Sequence, residues 1–271
     1  MNLAGKVALV LGGAKGFGRE IVFFLAGRGV SVATTYWDWP KESTSLVREL
    51  ATAGGDHLAL AVDLREPEAV TELLAAVKRK YGRLEILVNN IERGGMPVVH
   101  GEYTSEQWDL EQATTLKAKR WVFHQALPLL KDSGEGVVLN ISSIAGLVGR
   151  SGPAGLIFND GYAAANRAIG LLTENWARLG APEVRVNELM LGFFETRHAQ
   201  GTRGWDLLSE EQRRAITGHI LLERTGRSED LLQAVRFLLS EADYLTGATL
   251  RLDGGYVLGG DKVPPMPPGV L

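Results

Sequence analysis

The sequence feature that most constrains the fold is a cluster of glycines directly after the first apolar run of the chain. The run Lys6–Leu11 is rich in Val and Leu and predicts a strand, and the apolar periodicity of Gly18–Arg28 predicts a helix. The glycines of the intervening turn are Gly12, Gly13, Gly16 and Gly18. Glycines permit a tight turn and a close backbone approach, and free N–H groups at a helix start attract phosphate. This order predicts nucleotide binding, with an ordinary turn as the alternative.

The rest of the chain alternates short apolar runs with amphipathic stretches. Strands are predicted at Lys6–Leu11, Val30–Thr35, His57–Val62, Leu84–Val88, Gly136–Ile141, Val184–Leu189 and Ala248–Leu252. Helices are predicted at Gly18–Arg28, Lys41–Ala53, Pro67–Tyr81, Ser105–Lys131, Tyr162–Leu179 and Ser228–Leu239. Such alternation is typical of a parallel sheet with helices on both faces. We therefore expect one α/β domain over residues 1–260, a Rossmann-type doubly wound parallel sheet in a three-layer α/β/α arrangement.

Three segments interrupt the alternation. Gly149–Gly161 is rich in glycine and irregular, and it precedes the predicted helix at Tyr162. The segment 197–222 carries Trp205 and a short helical run at Glu210–Ile216. Because it follows a strand end, we expect it to form a substrate lid. The proline-rich tail at 261–271 is predicted to be neither helix nor central strand.

Composition argues against several classes of function. The chain has no cysteine, which excludes disulfides, thiolate catalysis and cysteine-bound zinc. Its five histidines show no ligand spacing, so no metal site is predicted. A net charge of −3 without a basic block argues against a nucleic-acid partner. No apolar run has the length of a signal peptide or a membrane span, so we expect a cytoplasmic protein without a membrane partner.

A series of short motifs resembles the short-chain dehydrogenase/reductase family, and they follow one another in that family's order. The glycine turn has the spacing G-x-x-x-G-x-G, with Leu11 in the place of a threonine. The motifs that follow are Asp63-Leu64, Asn89-Asn90-Ile91, Asn140-Ile141-Ser142-Ser143, Tyr162 to Asn166, Arg185-Val186-Asn187, Leu191 to Thr196 and Leu252 to Gly255. The resemblance implies an NAD(P)-dependent oxidoreductase that acts on a carbonyl/alcohol pair or an activated C=C bond.

The resemblance assigns four positions to catalysis. Tyr162 corresponds to the proton donor or acceptor, and Ser143 to the hydroxyl that hydrogen-bonds the substrate oxygen. Asn166 stands in the place of a lysine and Thr115 in the place of an asparagine, so two members of the usual proton relay differ. A cation about 4 Å from a phenol supplies roughly 4 kcal/mol at an effective dielectric of ~20, or about three pK units. Its loss is expected to slow a path through a phenolate. The candidate substitute cations, namely Lys117, Lys119, Arg150 and Arg167, are expected to be surface charges.

The resemblance also implies the cofactor site. Its members are Gly12, Lys15, Gly16, Phe17, Gly18, Trp37, Asp63, Leu64, Asn90, Ile91, Tyr162, Asn166 and Thr196. Lys15 resembles the basic residue that faces a ribose 2′-phosphate, and no acid stands at Tyr36 or Trp37 to bind the 2′-hydroxyl. Asp38 follows one residue later. These features favour NADP(H), and NAD(H) remains open.

Alternatives to this function remain. Because of Asn166 and Thr115, the chain could instead bind the nucleotide with little or no redox activity, as a regulator, or act as a lyase or isomerase through Tyr162. The resemblance further implies a small-molecule substrate and a homo-oligomer, a tetramer or dimer. Apolar residues that fit an intersubunit contact, or the core of one subunit, are Trp121, Val122, Phe123, Leu171, Leu172 and Trp176. Residues that fit an apolar substrate pocket, or again the core, are Phe158, Phe193, Phe194 and Trp205.

Overall fold

A computed structural model describes residues 1–91, 104–194, 208–261 and 263–266. The described chain forms one seven-stranded sheet in which every strand pairing is parallel. The strands are β1 (Val7–Val10), β2 (Ser31–Tyr36), β3 (Leu58–Ala61), β4 (Ile86–Asn89), β5 (Gly136–Ser143), β6 (Val184–Leu191) and β7 (Thr249–Leu252). Their order in the sheet is β3-β2-β1-β4-β5-β6-β7. The predicted doubly wound parallel sheet is thereby confirmed.

Helices connect the strands and cover both faces of the sheet. They are α1 (Gly16–Ala26), α2 (Pro40–Thr52), α3 (Pro67–Tyr81), α4 (Ser105–Glu111), α5 (Ala118–Asp132), α6 (Ala145–Val148), α7 (Asp160–Gly180), α8 (Glu210–Gly218) and α9 (Ser228–Arg236). The single helix predicted over Ser105–Lys131 is interrupted by a π-helical segment at Gln112–Lys117. A second π-helical segment, Phe237–Glu241, extends α9.

Two buried apolar clusters lie on opposite faces of the sheet and produce the three-layer arrangement. Neighbouring residues of β1 divide between them, because successive side chains of a strand point to opposite faces. Val10 packs in the cluster that includes Leu25 of α1, and Leu9 packs in the cluster that includes Phe123 of α5 and Trp176 of α7. Both clusters bury aliphatic side chains almost completely, which is the main source of stability in such a fold.

The interrupting segments have structure of their own. Gly149–Gly161 contains a 3-10 turn at Gly152–Leu156, and α6 precedes it. The described part of the predicted lid, residues 208–222, contains α8, which contacts this 3-10 turn. The rest of the predicted lid lies outside the described residues. In the tail, Val263 and Met266 are exposed and belong to no helix or strand. Among the described residues, none of the helices combines the length and apolar character needed to cross a bilayer.

Candidate active site

The sheet changes direction between β1 and β4, and the glycine turn lies at this point. The chain leaves β1 towards β2 on one side and later returns to β4 on the other, which opens a crevice at the carboxyl ends of the two strands. Gly12 follows β1, and a Cβ atom added to it would lie 3.7 Å from the Asn90 amide nitrogen. The predicted cofactor residues Gly12, Asn90 and Ile91 are therefore brought together at the place where doubly wound sheets bind ligands.

The glycine turn is held tightly against its neighbours. The backbone N–H of Gly12 donates to the Thr35 hydroxyl at 3.1 Å, and that of Gly13 to the Thr35 carbonyl at 2.8 Å. A Cβ atom at Gly18 would overlap the Gly12 carbonyl and lie 2.6 Å from the Asn90 amide nitrogen, so only glycine fits. The helix α1 begins at Gly16 without a side-chain cap, which leaves backbone N–H groups for an anion. The turn thus fits the phosphates of a nucleotide.

Phe17, inside the same turn, is buried and packs edge-on against Phe194 with ring centroids 5.3 Å apart. The sequence fits Phe194 either to a substrate pocket or to the core. In the structure Phe194 packs in the core cluster beneath α1. Thr196 and Trp205 lie outside the described residues, so their predicted roles stay predictions.

Four further residues of the predicted cofactor site are Lys15, Trp37, Asp63 and Leu64. The Lys15 ammonium lies 3.9 Å from the centroid of the Trp39 ring, and Trp37 is 56% exposed. The Asp63 carboxylate accepts from Arg65 through Nε at 2.8 Å, and this hydrogen bond lowers the pKa of Asp63 below its usual range. Leu64 is buried. The motifs point to Lys15 and Trp37, whereas Trp39 and Arg65 belong to no motif and could not be predicted.

Ser143 is the last residue of β5 and Tyr162 lies in the first turn of α7. The Ser143 hydroxyl accepts from the Ala145 N–H at 3.1 Å. Asn159 caps α7, because its side-chain oxygen accepts from the Tyr162 N–H at 2.8 Å. Tyr162 packs in one buried cluster with Ala145 and its neighbour Ile144, so the structure brings the predicted catalytic pair to the same end of the sheet.

A glycine allows α6 and α7 to approach closely. A Cβ atom at Gly146 would lie 2.7 Å from the Arg167 backbone nitrogen and 2.8 Å from the Asn166 carbonyl carbon. Real Cβ atoms do not approach backbone atoms so closely, and the neighbouring backbone cannot give way cheaply. The distance between the ends of β5 and α7 therefore depends on Gly146.

Asn166 is fully buried, and its side chain turns back to the helix. The Asn166 amide donates to the Tyr162 carbonyl oxygen at 2.9 Å, one turn earlier. Among the described residues, the Asn166 side-chain oxygen has no hydrogen-bond partner. A buried acceptor without a partner is costly, so Asn166 is suited to receive a donor such as a ribose hydroxyl.

Thr115 lies in the π-helical segment and is fully buried. Its hydroxyl is 3.4 Å from a carboxylate oxygen of Glu111. The segment is tied to the start of α7, since the Gln112 side chain donates to the Gly161 carbonyl at 3.1 Å. A π-helical segment inside a helix is often found at a functional site.

The prediction that Lys119 is a surface charge is wrong, because Lys119 is buried. The other three candidate cations are exposed as predicted, namely Lys117, Arg150 and Arg167. The Lys119 ammonium is fully buried and donates to the Ile141 carbonyl at 2.6 Å. Burial lowers the pKa of Lys119 to about 7, against the opposing effect of Glu188. A charged group can enter the interior here because a partner carboxylate is buried with it. The chain thus keeps a buried lysine that titrates near neutral pH beneath β5, although the position one turn after Tyr162 holds an amide.

Aromatic rings surround Tyr162 on the side of α8. The ring centroid of Phe158 lies 5.8 Å from that of Tyr162 and 5.2 Å from that of Phe193, on which it stacks. The ring centroids of Phe193 and Tyr256 are 5.0 Å apart. His219, directly after α8, lies 4.6 Å from Tyr256. Burial raises the pKa of Tyr256 to about 12, so its phenol stays neutral. Sequence analysis missed Tyr256 and His219, although Tyr256 directly follows the motif that ends at Gly255.

Most of the apolar residues that fit either an intersubunit contact or the core of one subunit belong to the core. Phe123 and Trp176 stack at 4.4 Å with planes 7° apart, and Val122 is buried beside them. Leu171, by contrast, is 63% exposed. Among the described residues, no group of His, Asp and Glu is arranged to hold a metal ion.

Comparison with known proteins identifies the family to which the chain is similar. The family model described as enoyl-(acyl carrier protein) reductase matches residues 12–257. The 3-oxoacyl-(acyl-carrier-protein) reductase of Thermotoga maritima is 32% identical over 263 residues, covering 95% of this chain and 100% of that protein. A solved structure from Sinorhizobium meliloti, assigned as a short-chain alcohol dehydrogenase, is 28% identical with a TM-score of 0.81, covering 95% and 98% of the two chains. A doubly substituted short-chain dehydrogenase/reductase of Serratia marcescens, also 28% identical, has a TM-score of 0.79, covering 95% and 100%.

A parallel doubly wound sheet with a glycine turn at its switch point is typical of a nucleotide-binding α/β protein. The chain belongs to the short-chain dehydrogenase/reductase family of NAD(P)-dependent oxidoreductases.

Proposed function

We propose that this chain is an NADP(H)-dependent oxidoreductase that interconverts a carbonyl and an alcohol, or reduces an activated C=C bond. The observation that carries the proposal is the placement of Ser143 and Tyr162 at the same end of the sheet as the glycine turn. The nucleotide is bound by the residues of the predicted cofactor site, namely Gly12, Lys15, Gly16, Phe17, Gly18, Trp37, Asp63, Leu64, Asn90, Ile91, Tyr162, Asn166 and Thr196. When bound, the nicotinamide supplies or accepts the hydride.

The side chains of this chain supply the proton and orient the substrate. Ser143 donates its hydroxyl hydrogen to the substrate oxygen. Tyr162 gives the phenolic proton to that oxygen during reduction and takes it back during oxidation. The closely packed aromatics Phe158 and Phe193 exclude water around the Tyr162 phenol, which strengthens these hydrogen bonds.

Asn166 and Thr115 make this proton transfer slow. Asn166 holds a ribose hydroxyl with its free acceptor but brings no charge to the phenol. The buried neutral Asn166 also favours the second candidate function, a protein that binds the nucleotide with weak or no redox activity. The third candidate function is a lyase or isomerase that uses Tyr162 as acid and base.

The relatives indicate which substrates to test first. The Thermotoga maritima relative is a 3-oxoacyl-(acyl-carrier-protein) reductase, so 3-oxoacyl thioesters are the first substrates to test. We propose that the segment 197–222 forms a lid, since its described part packs α8 over the 3-10 turn at Gly152–Leu156. We further propose a cytoplasmic homo-oligomer, a tetramer or dimer.

The test is NADPH oxidation over a panel of 3-oxoacyl thioesters, ketones, aldehydes and enoyl thioesters. Tyr162→Phe keeps the ring and removes the proton, so turnover is expected to fall by on the order of 100-fold or more while NADPH affinity is kept. Equal rates in Tyr162→Phe and the unaltered protein, or no turnover at all, would refute the oxidoreductase. Product formation without a change in nicotinamide absorbance would instead favour the lyase or isomerase.

A variant that restores the positive charge at Asn166 distinguishes the oxidoreductase from the second candidate, a nucleotide-binding protein with weak or no redox activity. Asn166→Lys is expected to raise turnover by up to about three orders of magnitude, because a cation near the phenol is worth roughly three pK units. Asn166→Met has a similar length without the charge and serves as the matched control. If Lys and Met give the same low rate while NADPH still binds in calorimetry, the chain is a nucleotide-binding protein.

A further inference from the structure

The segment after β2 brings an indole ring beneath the cation of the glycine turn. The Lys15 ammonium lies 3.9 Å from the centroid of the Trp39 ring, where the electron-rich face of an indole attracts a cation. Within the described part of the chain, Lys15 makes neither an ion pair nor a side-chain hydrogen bond. The ring of Trp39 is therefore what fixes the position of this flexible side chain.

The backbone of Trp39 is strained in a way that fixes the indole. Trp39 has φ 64° and ψ 64°, the left-handed region, and it precedes Pro40, a position that normally takes extended backbone. The conformation is held by Ser43, whose N–H donates to the Trp39 carbonyl at 2.8 Å and whose hydroxyl donates to the Asp38 carbonyl at 2.9 Å. Strained residues that the surrounding structure holds in place cluster at ligand sites.

The other charges near this segment are already engaged with one another. Arg65 binds the Asp63 carboxylate through Nε at 2.8 Å. Asp38 is partly buried, and burial raises its pKa while Arg65 acts in the opposite direction. Since Arg65 is already paired with the Asp63 carboxylate, Lys15 is the cation left to meet an anion that enters between the glycine turn and the end of β2.

We propose that Trp39 is a specificity-determining residue: its indole holds Lys15 in place to bind the 2′-phosphate of NADP(H), and so sets the preference over NAD(H). This inference rests on the proposed function, because it presupposes that the nucleotide lies along the glycine turn. A free lysine loses side-chain freedom when it binds a phosphate, and a lysine already held on a ring loses less. NAD(H) has no phosphate at this position and gains nothing from the arrangement.

The experiment measures the dissociation constants of NADPH and NADH for the full chain and its variants by fluorescence titration and calorimetry. Lys15→Met is expected to weaken NADPH by on the order of ten- to a hundredfold and to leave NADH unchanged. Trp39→Leu is expected to weaken NADPH alone by about two- to tenfold. Trp39→Phe keeps an aromatic face and is expected to keep most of the preference. The double variant Lys15→Met/Trp39→Leu is expected to bind NADPH no more weakly than Lys15→Met.

Trp37→Leu is the matched control, since Trp37 belongs to the same segment but is not beneath Lys15. It is expected to change the affinities for both nucleotides equally. Thermal unfolding of each variant confirms the fold, and Trp39→Phe keeps the test valid if Trp39→Leu unfolds. The inference is overturned if Trp39→Leu keeps the full NADPH preference, or if the Lys15 and Trp39 effects add. By contrast, an unaltered chain that binds neither nucleotide, or prefers NADH, overturns the NADP(H) dependence of the proposed function as well.

Discussion

The Lys119 ammonium lies in the protein interior, 2.6 Å from the Ile141 carbonyl oxygen, while Asn166 places a neutral amide one turn after Tyr162. Glu188, also fully buried, accepts from the hydroxyls of Ser142 and Thr249. The carboxylate is thus held by neutral donors, and its charge favours the charged form of Lys119. Burying both charges offsets part of the cost of burying either one.

This buried lysine predicts how stability depends on pH. The folded pKa of Lys119, about 7, lies below the ordinary value of 10.5, so between these values the unfolded chain binds more protons. The free energy of unfolding therefore gains a contribution that rises with pH across this window, by about 1.4 kcal/mol per pH unit at most. In Lys119→Met this contribution is expected to disappear when urea unfolding is followed from pH 7 to pH 10.

The exposed Lys117 supplies the control. Lys117→Met removes the same charge from the surface, two residues earlier, and is expected to leave the pH dependence unchanged. If Lys117→Met and Lys119→Met give the same pH profile as the unaltered protein, Lys119 does not titrate in this range.

At the scale of secondary-structure elements, the contact between α6 and α7 determines how the ends of β5 and α7 meet. Gly146→Ala would place a methyl group 2.7 Å from the Arg167 nitrogen, so α7 must move away from β5. We expect a loss of about 1–3 kcal/mol in the free energy of unfolding. Turnover is expected to fall further than stability alone explains, because Ser143 and Tyr162 lie on opposite sides of this contact, while NADPH affinity is kept.

Gly218 is the matched position for this test. It lies at the end of α8, and a Cβ atom added to it meets nothing within 4 Å. Gly218→Ala is therefore expected to be neutral, or to stabilise by up to about 1 kcal/mol. Equal activity in the two alanine variants would show that the close approach at Gly146 does not align the pair.

Element boundaries were predictable where local chemistry sets them. The helix Pro67–Tyr81 has the predicted bounds, since Pro67 occupies its first turn and Gly82 takes a left-handed conformation at its end. The end of β6 was predicted too early. The end of β5 was also predicted too early, because the polar residues Ser142 and Ser143 resemble a turn in sequence. In the structure they pair with Met190 and Leu191, so sheet pairing and not local preference decides their conformation.

In the candidate site, too, some residues could be predicted from local sequence and others could not. Ser143, Tyr162 and the glycine turn follow from short motifs whose residues are close in sequence. The burial of Lys119 could not be predicted, because the carboxylate that accompanies it, Glu188, lies on another strand far along the chain. Trp39 was missed for a similar reason, since its contact with Lys15 depends on a left-handed backbone at a tryptophan.

At the scale of the whole molecule, the two layers of helices differ in what they leave exposed. In the layer that contains α7, Leu171 and Leu179 are 63% and 47% exposed, two turns apart on one helix face. Trp108, on the neighbouring α4, is 41% exposed. The core of the subunit, by contrast, buries Val122, Phe123 and Trp176. An intersubunit contact through this layer must therefore use the exposed face of α7, where Leu171 lies.

We expect the unaltered chain to be a dimer or tetramer in analytical ultracentrifugation, and Leu171→Glu to shift it towards the monomer, because a buried charge without a partner destabilises an interface. Val47→Glu is the control, since Val47 is also an exposed apolar residue, at 43%, on α2 in the opposite helix layer. It is expected to leave the assembly unchanged. A monomeric unaltered chain would contradict the assembly, and equal dissociation in both variants would contradict its placement on α7. The mass of Leu171→Glu at several protein concentrations separates these outcomes, since a weakened dimer re-forms at high concentration.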